Sequence, residues 1–74
     1  MNVFELGEEL KKMYRNAPEG FKVCMIHLFG IRYFNHIIAG KFSSAELCYA
    51  AGIKASYATE VSKGVKLAKY VQER

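Results

Sequence analysis

Glu46-Leu47-Cys48-Tyr49-Ala50-Ala51-Gly52-Ile53-Lys54-Ala55-Ser56-Tyr57-Ala58-Thr59-Glu60-Val61-Ser62-Lys63-Gly64 is the stretch whose reading decides the fold. It reads as two short helices joined by a tight turn at Gly52. Leu47, Cys48 and Ala51 share one helical face at i, i+1, i+4 spacing, and Ala58 and Val61 share another at i, i+3. Gly52 stands where the first helix must stop, and glycine accepts the left-handed conformation such a stop needs. Ile53 follows as an apolar anchor in the angle between the helices. Cys48 and Ala58 are small, which suits two backbones in close approach.

Just upstream, Lys41-Phe42-Ser43-Ser44-Ala45-Glu46-Leu47 carries the strongest local signal. Ser43 can cap the helix at the N3 amide, and Glu46 can reach back to the Ser43 amide. Phe42 and Leu47 can form the accompanying hydrophobic staple. The first motif helix is therefore expected over Ser44 to Ala51. The second starts at Ala55 if Lys54 occupies the cap position, or at Tyr57 if Ser56 does, and Gly64 is expected just past its end.

Leu47-Cys48-x-x-Ala51-Gly52-Ile53 followed by Ala58-x-x-Val61 resembles the helix-turn-helix of the lac-repressor-type headpieces and the phage Cro/repressor group. Ser62-Lys63-Gly64 is similar to the close of the recognition helix in the Cro group. The resemblance covers about residues 44–64. It departs from the family at Lys54, where a capping serine is usual, and at Ala58, where valine or isoleucine is usual. It implies a small DNA-binding transcriptional regulator, a phage-like repressor, whose second motif helix lies in the major groove of duplex DNA. With Ala58 and Val61 inward, the outward set is Ala55, Ser56, Thr59, Glu60 and Lys63, with Tyr57 to one side. Ser56 and Thr59 suit base edges, and Glu60 could accept from a cytosine amino group. Lys63 could reach a base or a phosphate. Lys54, Lys66, Lys69 and Lys41 are phosphate candidates. Ser44 opens the first motif helix, where free amides in this family face a phosphate. The family usually binds two half-sites as a homodimer. The other reading of the same residues is a protein-interaction module, an adaptor or antiactivator, because the second helix carries Glu60 and has no arginine.

Working outward, the 74 residues are expected to form one domain, 1–74, all-α, a small bundle of four to five helices. Half of the residues are hydrophobic (51%), enough for a core. The net charge of +4 is uneven: residues 1–19 hold three basic and four acidic groups, residues 20–74 eight and three. The excess of positive charge accompanies the motif and favours a polyanionic partner. Asn2 to Asn16 reads as a first helix capped by Asn2. Phe4, Leu6, Leu10, Met13 and Tyr14 lie inward, the glutamates early, the lysines late, and Glu8 pairs with Lys12. Phe21 to Ala39 reads as one very apolar helix with a stripe of Phe21, Cys24, Leu28, Ile31 and Phe34 or Asn35, widened by Met25, Ile26, Phe29 and Ile38. Gly30 is a point where it can kink or divide in two, and Gly40 ends it. That segment and the acidic first helix are the expected dimer elements. The tail, 65–74, favours a short closing helix with Leu67 and Val71 inward, although its alternation also fits a strand.

Catalysis is not expected. The seven acidic residues are all glutamates, and no nucleophile–base set or phosphate-cradling glycine loop appears. No metal or cofactor is expected, because His27 and His36 lie nine residues apart and no carboxylate is near them in sequence. Cys24 and Cys48 read as buried, reduced thiols. No signal peptide or membrane span is legible, so the cytoplasm is the expected compartment, with no small-molecule substrate.

Overall fold

A computed structural model describes residues 1–73. Its elements are α1 (Val3–Arg15), α2 (Lys22–Arg32), α3 (Phe34–Gly40), α4 (Ser44–Ala51), a 3-10 turn (Ala55–Tyr57) and α5 (Ala58–Leu67). No strand occurs among the described residues. The all-α expectation of four to five helices therefore holds.

Two helices begin as local chemistry dictates. Asn2 accepts from the Glu5 amide at 2.8 Å while the Glu5 carboxylate accepts from the Asn2 amide at 2.9 Å. Ser43 and Glu46 repeat the exchange at the head of α4, at 3.1 and 2.9 Å. Phe42 packs against the core that Leu47 enters, as a staple requires. Gly52 ends α4 at φ 72°, with Ile53 donating to the Cys48 carbonyl at 3.1 Å. A Cβ at Gly52 would meet nothing within 4 Å, so a substitution there is felt through the backbone alone. Gly52→Val is expected to cost about 1–2 kcal/mol, read as a lower thermal midpoint by circular dichroism. An unchanged midpoint would remove this account of the turn.

Four helices close a ring around the core. α1 packs on α4, α4 on α5, α5 on α2, and α2 on α1, so α1 and α5 stand diagonally across. Leu6, Leu10, Ile26, Phe29, Leu47 and Val61 are fully buried, with Met13, Ile37, Cys48 and Ala51 nearly so. Two contacts of the ring are made at glycines. At Gly7 an added Cβ would lie 2.6 Å from the Cβ of Ala50, so α1 and α4 touch backbone to backbone there. Gly30 and Gly64 do the same for α2 and α5: a Cβ on Gly30 would lie 2.7 Å from the Gly64 carbonyl carbon, and one on Gly64 would lie 2.5 Å from the His27 carbonyl oxygen.

That second crossing corrects several expectations. Gly64 does not follow α5 but lies buried inside it, because Gly30 makes room for its backbone. Gly30 likewise does not divide the apolar helix. The break falls at Tyr33, which ends α2 and begins α3 and so returns Ile37 to the core. The buried stripe of α2 is Ile26, Phe29 and Gly30, whereas Phe21 and Cys24 are exposed. A helix apolar around most of its surface does not select its own inner face; the close approach to α5 selects it.

Other differences are smaller. Phe4 is 72% exposed rather than inward. Lys12 pairs with Glu9, at 3.7 Å, not with Glu8. The left-handed residue after α3 is Lys41 (φ 55°), while Gly40 leaves room for the Phe42 ring. Cys24 is an exposed free thiol. Cys48 is a buried one, and burial pushes its pKa up. No separate closing helix forms among the described residues. α5 runs on to Leu67, Leu67 and Val71 are exposed, and Glu73 accepts from Arg32 Nε of α2 at 2.8 Å. The last position of that expected helix, residue 74, lies outside the described residues.

Candidate nucleic-acid interface

The second motif helix begins without a side-chain cap. Lys54 supplies no acceptor, and the chain enters through the 3-10 turn Ala55–Tyr57 before α5 proper. The helix thus enters by the earlier of the two expected starts, Ala55 after Lys54, and α5 proper begins at Ala58; the start at Tyr57 behind a Ser56 cap is not found. Val61 and Gly64, fully or nearly buried, fix the rotation of α5. Thr59, Lys63 and Lys66, at i, i+4 and i+7, then form its exposed stripe, continued toward the N-terminus by Ala55 and Ser56. Lys54 lies exposed at one end of the helix and Lys69 at the other. Lys41 is exposed just ahead of α4.

Three expected site residues are engaged inside the protein. Glu60 leaves the outward set: its carboxylate lies 2.8 Å from His27 Nε2 on α2 and 3.4 Å from Lys63 Nζ, and its side chain is only 21% exposed. Tyr57 is half-buried, its ring edge-on to Tyr14 at 5.4 Å with the hydroxyls 3.4 Å apart. Ser44 is half-buried, its Oγ 2.7 Å from Ser62 Oγ, which fastens the head of α4 to the middle of α5.

The His27–Glu60 contact is absent from any local sequence pattern. The residues lie 33 positions apart and meet only because the Gly30–Gly64 crossing sets the register of α2 on α5. The hydrogen bond from His27, aided by Lys63, holds the Glu60 carboxyl below its ordinary range. A carboxylate whose pKa is lower folded than unfolded contributes stability above the unfolded value, about 4.3. That contribution is lost as pH falls through the folded value. Thermal midpoints are therefore expected to fall from pH 5 to pH 3, and to fall less in Glu60→Gln. Equal acid sensitivity in the two proteins would contradict the pairing.

Beside this contact, His27, Lys63, Lys66, Leu67 and Tyr70 line a shallow cleft of about 320 Å³ between α2 and α5. Among the described residues no three His, Cys, Asp or Glu side chains stand close enough to hold a metal ion. No helix among them is long and apolar enough to cross a membrane.

Compared with known families, residues 2–74 match the family model of the HTH-like domain. The chain belongs to the HTH-like domain family. The match extends well beyond the motif at 44–64 and covers the residues of α1 to α3 as well. No curated protein and no solved structure matches the chain.

Proposed function

We propose that this HTH-like domain is a small cytoplasmic transcriptional regulator of phage-like repressor type that binds duplex DNA as a homodimer, with α5 in the major groove. The observation that carries the reading is the composition of the exposed face of α5. Ser56 and Thr59 offer hydroxyls to base edges, Lys63 and Lys66 offer positive charge, and the one acidic residue of the helix is drawn aside to His27. Glu60 is held between His27 and Lys63, so its charge is paired within the protein rather than left open toward a phosphate. Lys54, Lys69 and Lys41 extend the positive surface. Ala55 is small enough to let the backbone approach the bases.

Lys63→Ala is expected to weaken binding to a labelled random-sequence duplex about threefold to tenfold. It should also lower the salt slope by about one, with the fold intact. Fluorescence anisotropy reads the affinity, and circular dichroism reads the fold. Wild-type affinity in Lys63→Ala would displace the recognition face from α5.

Phe4 and Tyr49, 72% and 88% exposed, favour a second reading, a protein-interaction module acting as adaptor or antiactivator without DNA. The two readings separate on salt-dependent DNA affinity, which only the first requires.

A further inference from the structure

Along one edge of α1 run Phe4, Glu8 and Arg15, all exposed, with Lys11 half-buried between them, at i, i+4, i+11 and i+7. Glu8, Lys11 and Arg15 make no side-chain hydrogen bond or ion pair among the described residues. The stripe is complementary to itself when reversed. Two copies of α1 laid antiparallel about a point between Glu9 and Leu10 set Glu8 opposite Lys11 and Phe4 opposite Arg15, twice each.

Phe4 also borders a groove of about 460 Å³ between α1 and α4, lined by Val3, Phe4, Ala45, Glu46, Tyr49 and Ala50. Two aromatic rings beside one carboxylate suit a guanidinium on an apolar stem.

We infer that this face of α1, with the α1–α4 groove, docks a second copy of the same chain, Arg15 of each copy entering the groove of the other. The inference rests on the regulator reading for its purpose: it supplies the interface of the homodimer and leaves α5 free. One helix face and a shallow groove bury on the order of 400 Å² per copy, half of what a standard interface buries. The dimer is accordingly weak in free solution, dissociating on the order of 100 μM, and adjacent half-sites on one duplex hold it together.

Sedimentation velocity from 10 μM to 1 mM tests this. The wild-type chain is expected to shift from monomer toward dimer over that range, and Phe4→Ser to stay monomeric. Glu8→Lys and Lys11→Glu alone each turn two attractions into repulsions and are expected to weaken association about tenfold. Combined in one chain they restore it to within about threefold. An equimolar mixture of the two single variants also restores it, because each then meets its opposite charge. All four variants should keep the wild-type thermal midpoint. A wild-type chain monomeric to 1 mM, or charge reversals that neither weaken nor rescue, would overturn the interface. Anisotropy on a random duplex with the same proteins separates the two proposals. Dimerisation without DNA binding leaves the interface standing and removes the regulator reading, whereas DNA binding by a chain monomeric to 1 mM removes the interface alone.

Discussion

Gly64→Val is expected to leave the chain largely unfolded at 37 °C. Its Cβ alone would sit 2.5 Å from the His27 carbonyl oxygen and 2.9 Å from the His27 Cα. Both are backbone atoms of α2, so no rotamer relieves the clash and the helices must part. Parting them opens the core at Val61, Ile26 and Phe29, all with no exposed surface. Helix propensity pulls the other way, since glycine inside a helix is about 1 kcal/mol worse than alanine. The steric term wins: forced separation of packed helices costs about 1–3 kcal/mol, and the two γ-methyls of valine add further crowding. A domain of this size has on the order of 4–11 kcal/mol in total, so a net loss of about 2–3 kcal/mol removes most of the stability at the lower end. Urea denaturation followed by circular dichroism measures it. Wild-type stability in Gly64→Val would mean that the α2–α5 contact is looser than described. Gly64→Ala, with the clash but without the γ-methyls, is expected to fall between.

Phe29→Ala is expected to cost about 3–5 kcal/mol, or upwards of ~15 °C in thermal midpoint. Phe29 is the largest fully buried side chain. It sits on α2 one residue before the crossing glycine and rests on the Tyr33 ring at 5.3 Å. It belongs to the one buried cluster that residues of five helices supply, so the cavity left by its loss would lie in the core itself. Phe29→Leu refills most of the volume and should recover more than half of the loss. If Phe29→Ala and Phe29→Leu melt together near the wild type, Phe29 is not the centre of the core. In both series the DNA-binding loss should follow the loss of fold, which distinguishes these positions from Lys63.

What the sequence makes legible here is what its neighbours in the chain decide. The Ser43–Glu46 and Asn2 caps and the stop at Gly52 need only residues three or four positions away, and each is readable; the entry of the second motif helix is not, because the sequence leaves Lys54 and Ser56 as rival cap positions. What it hides is decided by partners far along the chain. Gly64 reads as a helix end, because glycine most often marks one; only Gly30, on another helix, keeps it inside α5. α2 is apolar on nearly every side, so its pattern contains no preference between Cys24 and Ile26 as core. The break at Tyr33 has neither proline nor glycine to announce it. It follows from the pull of Ile37 toward the core. At the site, the exposure of Ser56, Thr59, Lys63 and Lys66 follows from the helical period once Val61 is set inward. The withdrawal of Glu60 does not, because a histidine 33 residues earlier draws it.

The central claim, that α5 meets duplex DNA, is tested most directly by anisotropy of a labelled random-sequence duplex titrated with the wild-type chain at 50 and 200 mM salt. A basic face that touches several phosphates predicts binding at low salt that weakens at least about tenfold over that interval. No binding with about 100 μM protein at 50 mM salt, or binding indifferent to salt, would contradict it and leave the domain as a protein-interaction module.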